Sequence, residues 1–122
     1  MVIYDGFVSI KPRPYPYTQK SSTGTVYTPR WYKEYKEEIR RAVQATYHSI
    51  VFPPTYAVEL KFYLNTPKYT SKNAGDVDNL AKAVLDALQG VIWLNDAQII
   101  QLTLSKYPSL KPGISIYVQA FG

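Results

Sequence analysis

Four of the five aspartates in this chain fall within one short stretch: Asp76, Asp78, Asp86 and Asp96. Asp76 and Asp78 stand two apart, a spacing that points both carboxylates the same way in extended chain. Asn79, Lys82 and Asp86 follow at three- and four-residue intervals and so share one face of a helix. Two or three aspartates with open coordination positions suit Mg²⁺, and Mn²⁺ could substitute for it. Such an ion supplies the attacking hydroxide and the charge stabilisation that phosphodiester hydrolysis needs. Lys82 could steady negative charge in the transition state. With no cysteine and one histidine, a structural zinc site is implausible. A plainer reading also fits the spacing: Asp76 or Asp78 caps a helix, and Lys82 with Asp86 forms a surface pair.

The elements that must position these groups are legible in outline. A helix is expected from Val77 to about Gln89, with Leu80, Val84, Leu85 and Leu88 inward and Gly90 as its stop. Ahead of it, Tyr56–Leu64 alternates as a half-buried strand, and Asn65–Gly75 is a polar loop. An earlier helix begins with Thr28 as N-cap and Pro29 as first residue. It runs to about Tyr47, with Trp31, Tyr35, Ile39, Ala42 and Val43 as its apolar stripe. Phe7–Ile10 reads as a strand, with Asp5-Gly6 a hairpin turn or a bulge before it. The proline-rich stretch from Lys11 to Thr28 reads as a long loop. Ile99–Lys106 and Ile114–Gln119 alternate as strands, with Tyr107–Gly113 as the hairpin between them. The expected fold is a single α+β domain over residues 1–122, a mixed sheet of about four strands with two helices packed on it.

The net charge is +5, and its distribution is uneven. No acid occurs from Gly6 to Lys33, or from Leu60 to Gly75. Lys11, Arg13, Lys20, Arg30, Lys33 and Lys72 are the candidate phosphate contacts. Tyr15, Tyr17 and Tyr27 interleave with them and could either stack on exposed bases or pack the loop onto the sheet. Trp31, Tyr35 and Trp93 are expected in the core. No apolar run approaches the length of a membrane helix, and no basic segment precedes a hydrophobic one at the amino terminus. A cytoplasmic location is therefore expected, with no membrane and no organic cofactor.

The run Gly75-Asp76-Val77-Asp78-Asn79-Leu80-Ala81-Lys82-Ala83-Val84-Leu85-Asp86, with Asn95-Asp96-Ala97-Gln98 after it, closely resembles the RusA family of phage-associated Holliday-junction resolvases. Lys11-Pro12-Arg13-Pro14 and Tyr27-Thr28-Pro29 resemble the amino-terminal half of that family. The resemblance implies a homodimeric, Mg²⁺-dependent endonuclease that cuts four-way DNA junctions in recombination and repair. It puts the essential acids on Asp76, Asp78 and Asp96 and the essential lysine on Lys82, with Asn79 and Asp86 as supporting positions. One departure stands out: the family often has paired acids before the Ala-Gln step, and Asn95 replaces the first. The alternatives are a nuclease for flaps or forks and a junction-binding protein without cleavage.

Overall fold

The computed structural model describes residues 1–16, 19–20, 24 and 26–121, excepting the side chains of 19, 20 and 26. Strand β1 (Val2–Val8) is followed by two short strands, β2 (Gln19–Lys20) and β3 (Val26–Tyr27), and by helix α1 (Arg30–Gln44). Next come β4 (Tyr56–Leu64), α2 (Val77–Leu88), β5 (Ile99–Pro108) and β6 (Gly113–Ala120). Four strands form one sheet in the order β1-β6-β4-β5, with β5 parallel to β4 and the other pairs antiparallel. This is the α+β arrangement expected: one domain with a mixed four-stranded sheet and two helices. Among the described residues, no helix is long and apolar enough to cross a membrane.

The sheet buries one face more deeply than the other. Leu60, Phe62, Ile114, Ile116 and Val118 are fully buried with Leu80, Val84 and Leu88 of α2 and Ile39 and Val43 of α1. Glu59, Lys61 and Tyr63 alternate with them on the opposite, half-exposed face, as the two-residue period of a strand requires. The helices are tied together at their flanks. Arg40 Nε donates to the Ala87 carbonyl at 3.2 Å, a cation meeting the negative end of α2. Lys36 lies 3.9 Å from Asp86.

Several expectations are corrected. Ile99–Lys106 and Ile114–Gln119 do not form a hairpin, because β4 lies between β5 and β6. The linker crosses the end of β4, where the Ser109 N–H donates to the Leu64 carbonyl at 2.9 Å. Alternation reports which way side chains face, not which strand lies alongside. β4 suits the centre because all nine of its residues are buried or half-buried. Asp5-Gly6 is neither a hairpin turn nor a bulge: β1 runs through it, ending at Val8, with its irregularity between Val2 and Tyr4. The loop to Thr28 contains the β2–β3 pair. Helix α1 starts one residue late, with Pro29 outside at ψ 143°. Tyr32, not Trp31, fills the core; Trp31 stays half-exposed at its edge, where Arg13 covers it.

The topology has a direct test in solution. Interstrand contacts by NMR should link β4 to both neighbours, Leu60 to Leu104 and to Ile116. Direct backbone contacts between β5 and β6 would refute the strand order.

Candidate functional site

Asp76 and Asp78 stand at the start of α2. Asp76 is the N-cap residue, with an extended backbone (φ −73°, ψ 153°), and its side chain makes no capping hydrogen bond. The capping reading therefore does not describe Asp76, whose exposed carboxylate remains available. Asp78 lies in the first helical turn, also exposed, where the positive end of the helix favours an acid.

The approach to Asp76 is tightly specified. Gly75 has φ +95°, a conformation that L side chains rarely adopt. A Cβ there would also come within 2.8 Å of Pro14 Cβ. Lys106 Nζ donates to the Gly75 carbonyl at 2.8 Å, clamping the residue before Asp76 to the end of β5. Lys106 escaped the sequence reading. Its signal was a lysine in line with Leu102 and Leu104, on the apolar face of an alternating strand.

Around Asp76 opens a cleft of about 340 Å³, lined by Arg13, Tyr15, Trp31, Lys72 and Asn79 among others. The proline-rich segment forms one wall, docked by its backbone. The Tyr15 N–H donates to the Asn79 carbonyl at 3.0 Å, and the Arg13 N–H to the Tyr35 hydroxyl at 3.0 Å. The Arg13 guanidinium lies over Trp31, its Cζ 3.7 Å from the ring centre. Tyr15 meets Tyr32 edge-on at 5.2 Å and presents its ring to Lys82, whose ammonium lies 4.0 Å from the centroid. That is a cation–π contact, worth about 0.5–2 kcal/mol. Of the two roles open to Tyr15, packing is the one observed. Tyr17 and the side chain of Lys20 lie outside the described residues.

The remaining candidates distribute as follows. Asn79 borders the cleft, whereas Asp86 meets Lys36 of α1 rather than the cleft. Lys11 and Lys33 are exposed. Arg30 is paired with Glu34 at 2.9 Å, an exposed pair that adds little stability.

Asp96 is held elsewhere. Its Oδ1 accepts from Trp93 Nε1 at 2.7 Å, and its N–H donates to the side chain of Gln89 at 2.9 Å. Trp93, 1% exposed, is in the core as expected. Asn95 caps the 3₁₀ turn Asp96–Gln98 in a reciprocal capping box with Gln98. Its amide thus has a structural task at the position where the family often carries an acid. Gln89 immediately follows α2, so Asp96 sits at the far end of the helix from Asp76. The twelve residues of α2 span about 18 Å, more than two aspartate side chains can close. Among the described residues, no group of three or more His, Cys, Asp or Glu side chains could hold a metal ion. Asp76, Asp78 and Asp96 of one chain therefore do not fit a shared ion.

Burial also marks the loop anchor. It pushes the Tyr35 hydroxyl from 10.0 up to about 12, against the lowering effect of the Arg13 N–H bond. A raised folded-state pKa stabilises the fold fully below pH 10, a contribution lost as pH rises towards 12. Denaturation midpoints should fall across that window, and Tyr35→Phe should flatten the fall; an unchanged slope would count against the assignment.

A family model described as Endodeoxyribonuclease RusA matches residues 8–119. An uncharacterized protein of Bacillus subtilis (strain 168), YqaN, is 39% identical over 44 residues, which are 36% of this chain and 31% of that protein. The chain thus spans about a third of the length of that relative. The match over residues 8–119 covers the cleft, both helices and the Asp96 turn, and the chain belongs to the RusA endodeoxyribonuclease family.

Proposed function

We propose that this protein is a Mg²⁺-dependent, structure-selective endodeoxyribonuclease that resolves four-way DNA junctions as a homodimer, in recombination and repair in the cytoplasm. The observation that carries this reading is the cleft at the start of α2. There Asp76 and Asn79 share one opening with Lys72 and Arg13, and Lys82 lies on the Tyr15 ring at the cleft wall. Carboxylates beside cations are what cutting a phosphate backbone calls for. The cations hold the backbone, and the acids serve the divalent ion that activates water in such hydrolases. Membership of an endodeoxyribonuclease family supports the reaction class. The four-way junction and its paired cuts fit a two-fold symmetric enzyme.

In this reading Lys72 and Arg13 hold the DNA at the cleft, and Asp76 and Asp78 face the scissile phosphate. Lys82 steadies developing charge. Tyr15 is a positioning residue: its ring fixes where the Lys82 ammonium rests.

Purified protein should nick synthetic four-way junctions when Mg²⁺ is supplied. Asp78→Asn should lower the rate by more than the roughly 100-fold that loss of a supporting group around a metal costs, while leaving junction affinity intact. Cutting that survives this change removes Asp78 from the mechanism. A preference for flaps or forks in competition would move the substrate assignment, and tight binding without any product would leave only a junction-binding role.

Tyr15→Phe keeps the aromatic face and should cut at nearly the wild-type rate. Tyr15→Leu should slow cutting by a few-fold to about tenfold with junction affinity unchanged. Equal rates for the two variants would show that the ring does not position Lys82.

A further inference from the structure

We propose that the open face of the sheet, on the side away from the helices, stacks the unpaired bases of a DNA strand on a row of three aromatic rings: Phe7, Tyr63 and Tyr107. That the strand is DNA rests on the nuclease reading above; the row itself plays no part in that reading.

The strand registers build the row. Tyr63 of β4 pairs with Tyr107 of β5 on one side and with Gly113 of β6 on the other. The two tyrosine rings stack, with centroids 5.5 Å apart and planes 24° from parallel. Phe7 of β1 pairs with Ser115, which lies between the buried Ile114 and Ile116 and so faces away from the helices. The Phe7 ring leans across Gly113, where a Cβ would run into it, and comes to 6.0 Å from Tyr63. Three strands thus give a ring each and the fourth gives a glycine, so the row crosses the whole sheet. It is not part of the core: Phe7 is 53% and Tyr107 42% exposed.

The surroundings of the row choose the occupant. Its neighbours on this face are Ser105, Ser115 and Lys61, small or basic and none aliphatic. Lys61 forms no ion pair among the described residues. No acid occurs from Ala97 to the last residue, so β5, β6 and the linker between them, with Lys111 exposed on it, carry positive charge alone. The acids of this face, Asp5 and Glu59, stand level with Tyr117, further towards the Tyr56 end. A polyanion is therefore attracted to the aromatic end and repelled from the other. Every base offers a π-face, and open sheets carrying aromatic rings stack unpaired bases in this way. Duplex DNA cannot use the row, because its bases already cover one another.

A basic path joins the row to the cleft. α2 starts at the Leu64 end of the sheet, where Lys106 holds Gly75. Beside the cleft lies a groove of about 400 Å³ that shares Arg13, Pro14 and Asn73 with it and adds Lys11 and Lys68. Leu64, Asn65 and Thr66 line both this groove and the next, of about 460 Å³, which reaches Pro108 and Leu110. Leu64 and Pro108, paired in register, directly follow Tyr63 and Tyr107. The openings thus run in sequence round the end of the sheet, from Asp76 to the aromatic row, with Arg13, Lys11 and Lys68 along the way. A strand unpaired at the cleft would follow those cations and lay its bases on the rings.

The test is binding of fluorescent oligothymidylate, followed by anisotropy with EDTA present so that cutting plays no part. The wild type should bind. Tyr63→Ser and Phe7→Ser, checked for folding by circular dichroism, should each weaken binding by about fivefold to a hundredfold, whereas Tyr63→Phe and Phe7→Tyr should bind as the wild type does. Lys61→Gln should reduce the slope of log affinity against log salt by about 0.7. A wild type that does not bind, or serine variants that bind with full affinity, overturns the inference. Photo-crosslinking of the unaltered protein to a bromodeoxyuridine oligonucleotide gives a readout that needs no variant. Peptide mass spectrometry should place adducts on Phe7, Tyr63 or Tyr107; adducts confined to Tyr15 and Trp31 of the cleft also overturn it. So does a Tyr63→Ser protein that sediments as a smaller species yet binds oligothymidylate normally, since a second copy of the chain then covers the face. Junction cutting is scored separately. Binding on the row without cutting removes the nuclease reading and leaves the row standing, and cutting without binding on the row does the reverse.

Discussion

The parallel pairing of β4 with β5 is the constraint on which the rest depends. Parallel neighbours cannot be joined by a tight turn, so the chain leaving Leu64 must travel back along the sheet before β5 can begin. It makes that journey as α2. The helix packs Leu80, Val84 and Leu88 into the core and in doing so assigns its two ends to opposite ends of the sheet. Everything of chemical interest follows from that assignment. Asp76, just before its first turn, opens on one cleft, Asp78 stands exposed within that turn, and the turn after its last residue carries Asp96.

Each end is secured by a different means. At the start of α2, backbone specification dominates: a glycine at positive φ, pressed against Pro14 and bonded through its carbonyl to Lys106. At the finish, side-chain amides do the work, with Gln89 and Gln98 taking N–H groups that would otherwise lack acceptors. The indole of Trp93 spends its only donor on Asp96, so the fully buried ring also orients a carboxylate. The cleft wall is aromatic, with Tyr15 and Trp31 each in edge-on contact with the buried Tyr32 behind them.

How much of this could be read from residue order varies with range. α2 and β4 were legible because their periodicity is local and strong. The acids and Lys82 were legible as a set through spacing and the family resemblance. The strand order was not, since Ile99–Lys106 and Ile114–Gln119 look the same whether they pair with each other or with Tyr56–Leu64. Distance along α2 was not either. Asp76 and Asp96 lie close in the sequence, and only knowing that Asp96 is anchored at the helix's end shows how far apart they are. The choice of Tyr32 over Trp31 for the core was hidden because both satisfy a three-to-four-residue repeat. What decides it is the cover that Arg13 gives Trp31, a contact across 18 positions.

That cover has a consequence for how Arg13 meets an anion. A guanidinium free in solvent samples many rotamers, and each ordered side chain of this kind costs about 0.5–1.5 kcal/mol on binding. With its guanidinium over Trp31 and its backbone N–H bonded to the Tyr35 hydroxyl, Arg13 is partly ordered beforehand. A guanidinium that stacks on a ring uses its face and keeps its rim of N–H donors for other partners, the part that would match phosphate oxygens in the proposed role. In the proposed role Arg13 would thus bind with part of its entropy loss already met during folding, whereas Lys11 and Lys33, both exposed, would lose theirs on contact.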